Sequence, residues 1–200
     1  MALKQTPSQT IGPFFSFGLA SEQYNHPLSQ IAGANLLADS PDVDGQRIRL
    51  TGRVLDGAGA PMADALVEIW QADGQGRYAH PADTRGSNTT FKGFGRCGTG
   101  TDGEQRFVFD TVKPAAVAPG EAPHINVCLF ARGLLNHVFT RIYFSDEAND
   151  SDPVLEQVPA ERRATLIAQR LDGAEDGGGP AVYQFDIHMQ GDQETVFFDP

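Results

Sequence analysis

The sequence is poor in cysteine, in basic side chains and in long apolar runs. Its 200 residues include only two cysteines, Cys97 and Cys128, which excludes a disulfide framework and predicts buried free thiols. Fifteen Lys and Arg stand against 26 Asp and Glu, so nucleic acid is not an expected partner. No apolar stretch approaches the length of a membrane span, and residues 1–13 lack the layout of a signal peptide. These absences predict a cytoplasmic protein.

The signatures of several large enzyme classes are also absent. The chain contains no GxSxG nucleophile motif, no P-loop and no GxGxxG dinucleotide motif. Chemistry then depends on isolated polar side chains, and a single histidine or tyrosine in a β-rich chain is usually a core or surface residue. The candidates are Tyr78, His80, His124, Arg132, His137 and His188.

Glycine, proline and phenylalanine are abundant. The 22 Gly and 13 Pro predict many turns, and 13 Phe suit a core filled from alternating strand positions. Together these features predict a mainly β fold, a β-sandwich with long loops. The predicted strands are Arg47–Leu55, Ala65–Gln71, Gln105–Thr111, His124–Phe130, Val138–Phe144, Tyr183–Met189 and Glu194–Phe198.

One segment has the pattern of a helix. Pro159–Leu171 begins with proline, carries an apolar stripe at helical spacing and is followed closely by Gly173. At the other end of the chain, prolines and a glycine predict an extended arm without helix over Met1–Leu19. We therefore divide the chain into an arm and subunit-contact region, residues 1–46, and a sandwich domain, residues 47–200.

The hairpin predicted within Ala122–Phe144 carries an incomplete metal-binding pattern. Side chains two apart on a strand point to the same face, so a His-x-His at the start of the first strand would hold a metal ion. His124 stands in the first place and Asn126 in the second. A neutral amide oxygen is a much poorer donor to a transition metal than imidazole. The chain thus carries half of a metal-binding pair.

Several separated motifs, in this order and spacing, resemble the intradiol ring-cleavage dioxygenases. The likeness covers most of the chain from residue 47 onward and implies a β-sandwich of the intradiol dioxygenase type. Other segments are similar to the iron-free alpha subunit found in two-subunit members of the family. The family motifs are DGQGRY (73–78), GFGRCGTGTDGEQRFVFDTVKP (93–114), APHINV (122–127) and FTRIYFSDEA (139–148); the alpha-like segments are TPSQTIGPFF (6–15), LFARG (129–133) and IHMQGDQETVFFD (187–199).

In iron-bearing members of the family, two tyrosines and two histidines hold a ferric ion. The resemblance places Tyr78 and His124 at one position of each kind, and Val117 and Asn126 at the other two. With half of the ligand set replaced, this chain is expected to bind no metal. The resemblance implies that ferric iron is held instead by a partner beta subunit, in a higher oligomer of alpha–beta pairs.

The resemblance also implies that this chain lines the partner's active site. The expected substrates are protocatechuate and O2, and the expected product is 3-carboxy-cis,cis-muconate. The lining residues are Thr10, Gly12 and Pro13 of the arm and Arg132 after the predicted strand. The planar guanidinium of Arg132 suits an anionic substrate, and Gly12 permits a close backbone approach. No residue of this chain is expected to carry a catalytic step.

Two departures from the family pattern bear on the former metal position. The family's arginine before the first histidine is missing, and Glu121 and Ala122 occupy that region. A glutamine of the iron subunit is replaced by Arg141. Both changes fit a vestigial pocket that is filled by side chains, with Tyr78 and His124 retained as hydrogen-bonded packing residues.

Two alternative functions stay open on the residues. The first is a self-contained enzyme whose metal is held by Tyr78, His124 and a carboxylate. The second is a non-catalytic binding module of the sandwich type. Fold alone does not decide between them.

Overall fold

The computed structural model describes residues 10–12, 14–26, 31–86, 90–171 and 178–199. Over these ranges the chain forms nine strands, one short α-helix and three 3-10 helices. The strands are β1 (Arg47–Leu55), β2 (Leu66–Gln71), β3 (Phe94–Gly98), β4 (Arg106–Val112), β5 (His124–Phe130), β6 (Val138–Phe144), β7 (Ile167–Leu171), β8 (Ala181–Gln184) and β9 (Ile187–His188). The helix α1 is Phe15–Leu19, and the 3-10 helices are Ser21–Tyr24, Leu155–Gln157 and Ala160–Leu166.

The strands pair in the order β3-β2-β5-β6-β7-β8-β1-β4, and β9 lies beside β1. Most neighbours are antiparallel, whereas β6–β7, β1–β8 and β1–β9 are parallel. Inward side chains from all nine strands form one apolar core. Val67 of β2 and Val127 of β5 belong to it, together with Leu50 of β1 and Phe107 of β4. This arrangement confirms the predicted mainly β sandwich.

The alternation of β1 shows why the sequence folds in this way. Ile48, Leu50 and Val54 are fully buried, whereas Arg49 and Arg53 point outward to carboxylates on β4 and the turn before it, each at 2.8 Å. A period of two places every second residue on the core face of a strand. The predicted bounds of β1, β2, β4 and β6 lie within one residue of the observed ones.

Residues 31–36 cover the two end strands of the sheet path. The carbonyl oxygen of Gly33 accepts a hydrogen bond from the N–H of Arg96 on β3 at 3.1 Å. On β4, the carbonyl oxygen of Asp110 accepts a hydrogen bond from the N–H of Leu36 at 2.9 Å. The N–H of Asp110 donates to the carbonyl oxygen of Ala34 at 3.1 Å. Backbone groups of both end strands are therefore paired rather than left open. The domain division after residue 46 stays a prediction.

The helix predicted at Pro159–Leu171 is wrong in type and wrong over its last five residues. A 3-10 helix covers Ala160–Leu166, and the chain then becomes strand β7. Ile167 pairs with Tyr143 of β6, and further residues of β7 pair with β8. Because β6 and β8 each need a hydrogen-bonding neighbour, the sheet ladder outweighs the helical spacing of the apolar side chains.

The strand predicted over Tyr183–Met189 is interrupted. β8 ends at Gln184, and the carboxylate of Asp186 then accepts the N–H of Arg53 at 2.9 Å in place of a backbone carbonyl. Opposite this break, a Cβ on Gly52 would lie 1.7 Å from the carbonyl oxygen of Phe185. Only glycine permits that approach.

Two further predictions are wrong: the strand at Glu194–Phe198 and the absence of helix from the arm. Glu194–Phe198 forms no strand and contributes only an isolated bridge to Phe139. The arm contains the helix α1, which starts at Phe15. The prolines of the arm precede that residue in the sequence, where they do not obstruct the helix.

The two cysteines are free thiols with different burial. Cys97 on β3 is buried, as predicted, whereas Cys128 on β5 is only half-buried because it points out of the sandwich. Burial raises the pKa of Cys128 to about 12. Neither thiol is activated as a nucleophile. No helix within the described ranges is long and apolar enough to span a membrane.

Candidate functional site

A glycine-rich turn, residues 73–78, aims Tyr78 at the sheet. Its first residue, Asp73, is buried, and the carboxylate accepts hydrogen bonds from two backbone N–H groups of the same turn, both at 2.9 Å. Gly76 has a φ of +75°, and a Cβ there would lie 2.1 Å from the carbonyl oxygen of Ala116. Only glycine lets the turn pack on that loop. The DGQGRY motif therefore fixes where Tyr78 lies.

The Tyr78 side chain is held by an aromatic ring and an amide. Its ring stacks on Trp70 with centroids 5.6 Å apart and planes at 15°. Its phenol oxygen accepts a hydrogen bond from Asn126 Nδ2 at 3.1 Å, and the same nitrogen donates to the carbonyl oxygen of Trp70 at 3.3 Å. Because the Trp70 carbonyl oxygen can only accept, it must face the NH2 group of Asn126, which fixes the orientation of that side-chain amide. Burial raises the pKa of Tyr78, so the phenol keeps its proton at neutral pH.

His124 is neutral and hydrogen-bonded at the start of β5. Its buried ring lies with Nδ1 2.9 Å from the carbonyl oxygen of Ala122. Since the carbonyl only accepts, Nδ1 carries the proton and Nε2 carries the lone pair of the neutral ring. Burial lowers the pKa of His124, which favours that neutral form.

Sequence reasoning missed Asp152, which anchors this end of β5. The residue is fully buried, and its carboxylate accepts hydrogen bonds from the N–H of Ala122 at 3.0 Å, the hydroxyl of Tyr143 at 2.8 Å and the N–H of Leu155 at 2.9 Å. Burial alone would raise the pKa of Asp152, but these hydrogen bonds outweigh it and lower the pKa. The available signal was an aspartate directly before a proline, a common turn-opening pair.

Four side chains share one face of the β5–β6 hairpin at this end. The register pairs His124 with Tyr143 and Asn126 with Arg141. Directly paired residues and residues two apart on a strand lie on the same face. The rings of His124 and Tyr143 lie 5.9 Å apart. We call these four residues the hairpin quartet.

Arg141 is the one cation of the hairpin quartet. Burial raises the pKa of Tyr143, and the positive charge of Arg141 acts against that rise. Burial is also the largest influence on the pKa of Tyr78 and of His124, and the charge of Arg141 is a smaller one that lowers both. The guanidinium therefore lies within electrostatic reach of both side chains.

The donors around Tyr78 do not fit a ferric ion, which requires anionic phenolates and imidazoles. Val117 has no donor in its side chain, and its carbonyl oxygen accepts a hydrogen bond from Arg85 at 3.0 Å. Asn126 turns its amide N–H, rather than its oxygen, toward Tyr78. Within the described ranges, no group of three or more His, Cys, Asp or Glu side chains is placed to hold a metal ion.

An open cavity of about 620 Å³ lies beside Tyr78. Arg85 crosses it, because its guanidinium donates to the carbonyl oxygens of Val117 and Gly76 and pairs with Asp83. Arg85 therefore bridges the two sides of this cavity without closing it. The lining residues are Trp70, Tyr78, His80, Ala82, Asp83, Thr84, Arg85 and Val117.

A second set of predicted residues meets at the other end of β5. Thr10 of the arm accepts a hydrogen bond through Oγ1 from the N–H of Gly133 at 2.8 Å. Next to Gly133, the side chain of Arg132 is 75% exposed, and its Nε lies 3.2 Å from a carboxylate oxygen of Asp64. The structure thus brings Thr10 and Arg132 together and adds Asp64, which sequence reasoning missed.

Gly12 is exposed, and a Cβ there would meet nothing within 4 Å. The close approach expected at Gly12 is therefore not made within this chain. Pro13 lies outside the described residues.

The two sets are separated by the length of a strand. The first surrounds His124 at the start of β5, and the second follows Phe130 at its end. A seven-residue strand spans roughly 20 Å. The former metal positions and the residues predicted to line the substrate site thus lie at two different places on this chain.

An aromatic strip lies between the arm and the β5–β6 hairpin. We define it as Phe14, Phe15, Phe130, His137 and Phe139. Ring centroids lie 5.6 Å apart for Phe15 and Phe130, 5.4 Å for Phe130 and His137, and 4.7 Å for His137 and Phe139. Phe14 is 80% exposed. Large exposed aromatic side chains of this kind are typical of contact surfaces.

Comparison with known proteins gives consistent results. A dioxygenase family model matches residues 20–191. The protocatechuate 3,4-dioxygenase alpha chain of Burkholderia cepacia is 51% identical over 98% of this chain and 98% of that protein. The beta chain from the same organism is 38% identical, over 76% of this chain and 67% of that protein.

The fold comparison agrees with this assignment. An intradiol ring-cleavage dioxygenase from Tetranychus urticae superimposes with a TM-score of 0.59 at 17% identity, covering 83% of this chain and 92% of that one. At this identity the likeness concerns the fold alone. Together with the family match and the alpha chain relative, it shows that the chain belongs to the intradiol dioxygenase family.

Proposed function

We propose that this chain is the alpha subunit of a protocatechuate 3,4-dioxygenase. The complex cleaves the ring of protocatechuate between its two hydroxyl-bearing carbons. Both atoms of O2 enter the product, 3-carboxy-cis,cis-muconate. The ferric iron is held by the beta subunit, and this chain completes the active site and supports the assembly.

One combination of observations carries this proposal. The chain matches an alpha chain at 51% identity over 98% of its length, yet the donors around Tyr78 do not fit ferric iron. A family member without a suitable donor set needs a partner that supplies the metal. The related beta chain, 38% identical over 76% of this chain, is the natural candidate.

Arg132 is the residue we assign to substrate binding. Its guanidinium is exposed, and Asp64 occupies only its Nε side. The other N–H groups remain on the solvent side, where they can bind a carboxylate in the bidentate manner typical of arginine. Thr10 holds the same turn through Gly133. Gly12 and Pro13, with Thr10, complete the surface that this chain presents to the substrate.

The aromatic strip is the surface we assign to the beta subunit. It joins the arm to the end of β5 where Arg132 lies, so contact with the strip would bring Arg132 to the edge of the partner's site. Residues 1–46 then act as the contact region and residues 47–200 as the sandwich domain. Repetition of such alpha–beta pairs gives the higher oligomer.

The test is reconstitution. This chain, the beta chain and the co-expressed pair are assayed for O2 uptake with protocatechuate and for formation of the ring-opened product. Activity in the pair, and none in either chain alone, is the expected result. Activity of this chain alone would favour the self-contained enzyme, and a pair without activity would favour the non-catalytic binding module.

A further inference from the structure

The hairpin quartet contains a positive charge at the place where the family's metal ligands would converge. His124 and Asn126 lie two apart on β5, and Arg141 lies directly opposite Asn126 on β6. Paired residues of this kind have Cβ atoms about 5 Å apart. We infer that the Arg141 guanidinium takes the place of a metal cation and bars metal ions from this chain.

The contacts of Arg141 support this inference. The residue lies directly opposite Asn126, whose Nδ2 donates to the phenol oxygen of Tyr78 at 3.1 Å, and on the same face as His124. It also lies within electrostatic reach of Tyr78 and His124, the two side chains that retain metal-binding chemistry. A cation approaching those two side chains would therefore meet a like charge in a half-buried setting, where repulsion is stronger than in water.

The acidic groups nearby match a cation at this position. Both Glu121 and Asp152 act electrostatically on His124. Asp152 is fully buried, so its charge is not screened by solvent. Arg141 acts on the same histidine with the opposite charge. Without it, the charges of Glu121 and Asp152 would be unopposed at His124, a condition that favours binding of a metal ion.

The loss of two ligands and the charge of Arg141 are separable causes of the expected absence of metal binding. If missing donors were the whole cause, restoring a tyrosine at position 117 and a histidine at position 126 would restore iron binding. If Arg141 bars the site, the same two changes fail until the positive charge is also removed. The two explanations therefore predict different metal contents for the same pair of variants.

The experiment compares three variants of the whole chain. V117Y/N126H restores the donors and keeps Arg141. V117Y/N126H/R141Q removes the charge, and V117Y/N126H/R141K is the matched control that keeps it. Each is incubated with Fe³⁺ supplied as its nitrilotriacetate complex and then desalted. Iron content is measured by atomic emission, and ferric–phenolate binding by visible absorption.

We expect the R141Q form to hold about one iron per chain and to be coloured. The two forms that keep the charge should bind iron about 10- to 100-fold more weakly and stay colourless. Equal iron binding in all three, or no gain from R141Q, would overturn the inference.

A simpler pair of variants covers the case in which the triple substitution does not fold. N126H/R141Q and N126H/R141K, which restore only the histidine pair, are compared for Zn²⁺ affinity by calorimetry, after circular dichroism has established that both are folded. About tenfold tighter Zn²⁺ binding by N126H/R141Q than by N126H/R141K is expected. Equal affinities would overturn the inference. Both experiments use this chain alone and do not depend on its partner.

Discussion

The two ends of strand β5 contrast in burial and in how their charges are used. At the His124 end, side chains are packed and hydrogen-bonded to one another, and the buried carboxylate of Asp152 is fully occupied. At the other end, Arg132 projects a largely exposed guanidinium from a turn pinned by Thr10 and Asp64. The first end is packed as part of the core, and the second is exposed at the surface.

Segments that share a family's motifs can therefore have different structural roles within one chain. The segment around His124 retains the family's residues, but their hydrogen bonds are satisfied internally. The segment around Arg132 leaves donors unsatisfied at the surface. Substitutions at the first end should therefore change stability, and substitutions at the second should change the activity of the assembled enzyme.

The largest effect is expected for Asp152→Ala. The change leaves the N–H of Ala122, the N–H of Leu155 and the hydroxyl of Tyr143 buried without their acceptor. The free energy of unfolding should fall by about 3 kcal/mol, as measured by urea denaturation. Asp150→Ala, at an exposed carboxylate of the same loop, is the control and should change little. Equal stability of the two variants would show that the His124 end is not held by Asp152.

The next effect is expected for Arg132→Ala in the alpha–beta complex. Loss of a charge-assisted hydrogen bond to the substrate carboxylate should raise KM by about 10- to 100-fold, with kcat nearly unchanged. Steady-state O2 uptake measures both constants, and Tm should not change. Arg49→Ala is the matched control, because Arg49 is another exposed arginine paired with an aspartate. A normal KM in the Arg132 variant would remove this residue from the substrate site.

A smaller effect is expected for Asp64→Ala. The carboxylate holds the Nε side of Arg132 at 3.2 Å, and an exposed ion pair contributes little energy. KM should rise about 2- to 5-fold. In the Arg132→Ala background the same change should have no further effect, since there is no guanidinium left to position. An additive effect in the double variant would mean that Asp64 acts independently of Arg132.

The smallest effect concerns acid stability. The pKa of Asp152 is lowered in the folded state, because its hydrogen bonds outweigh the cost of burial. Its contribution to stability is therefore complete above the unfolded pKa of roughly 4 and is lost as the pH falls toward the folded pKa. Asp152→Asn has no carboxylate to titrate, so its Tm should depend less steeply on pH between roughly 5 and 3. Parallel pH profiles would contradict the assignment.

Much of the sandwich could be predicted from the sequence because its strands alternate. β1, β2 and β4 were found by their period of two, and β5 by its apolar run. β7 was not predicted, because the spacing of its apolar residues also fits a helix. Only the need of β6 and β8 for a hydrogen-bonded neighbouring strand decides between the two structures. That need is a property of the assembled sheet.

The residues of the candidate site also divide into those that the sequence predicted and those that it did not. Tyr78 and His124 were identified because motifs and strand spacing are local features of the sequence. Asp152 and Asp64 were missed because each acts on a residue distant in sequence, Ala122 at the start of β5 and Arg132 after its end. The position of Arg141 opposite Asn126 follows from the strand register, which only the fold provides.

The central claim is that this chain contributes to an iron enzyme without holding the iron. The most direct test is the iron content of this chain alone and of the purified alpha–beta complex, by atomic emission. We predict an iron-free, colourless chain and a coloured complex with about one iron per alpha–beta pair. Stoichiometric iron in the lone chain, or two irons per pair, would contradict the account.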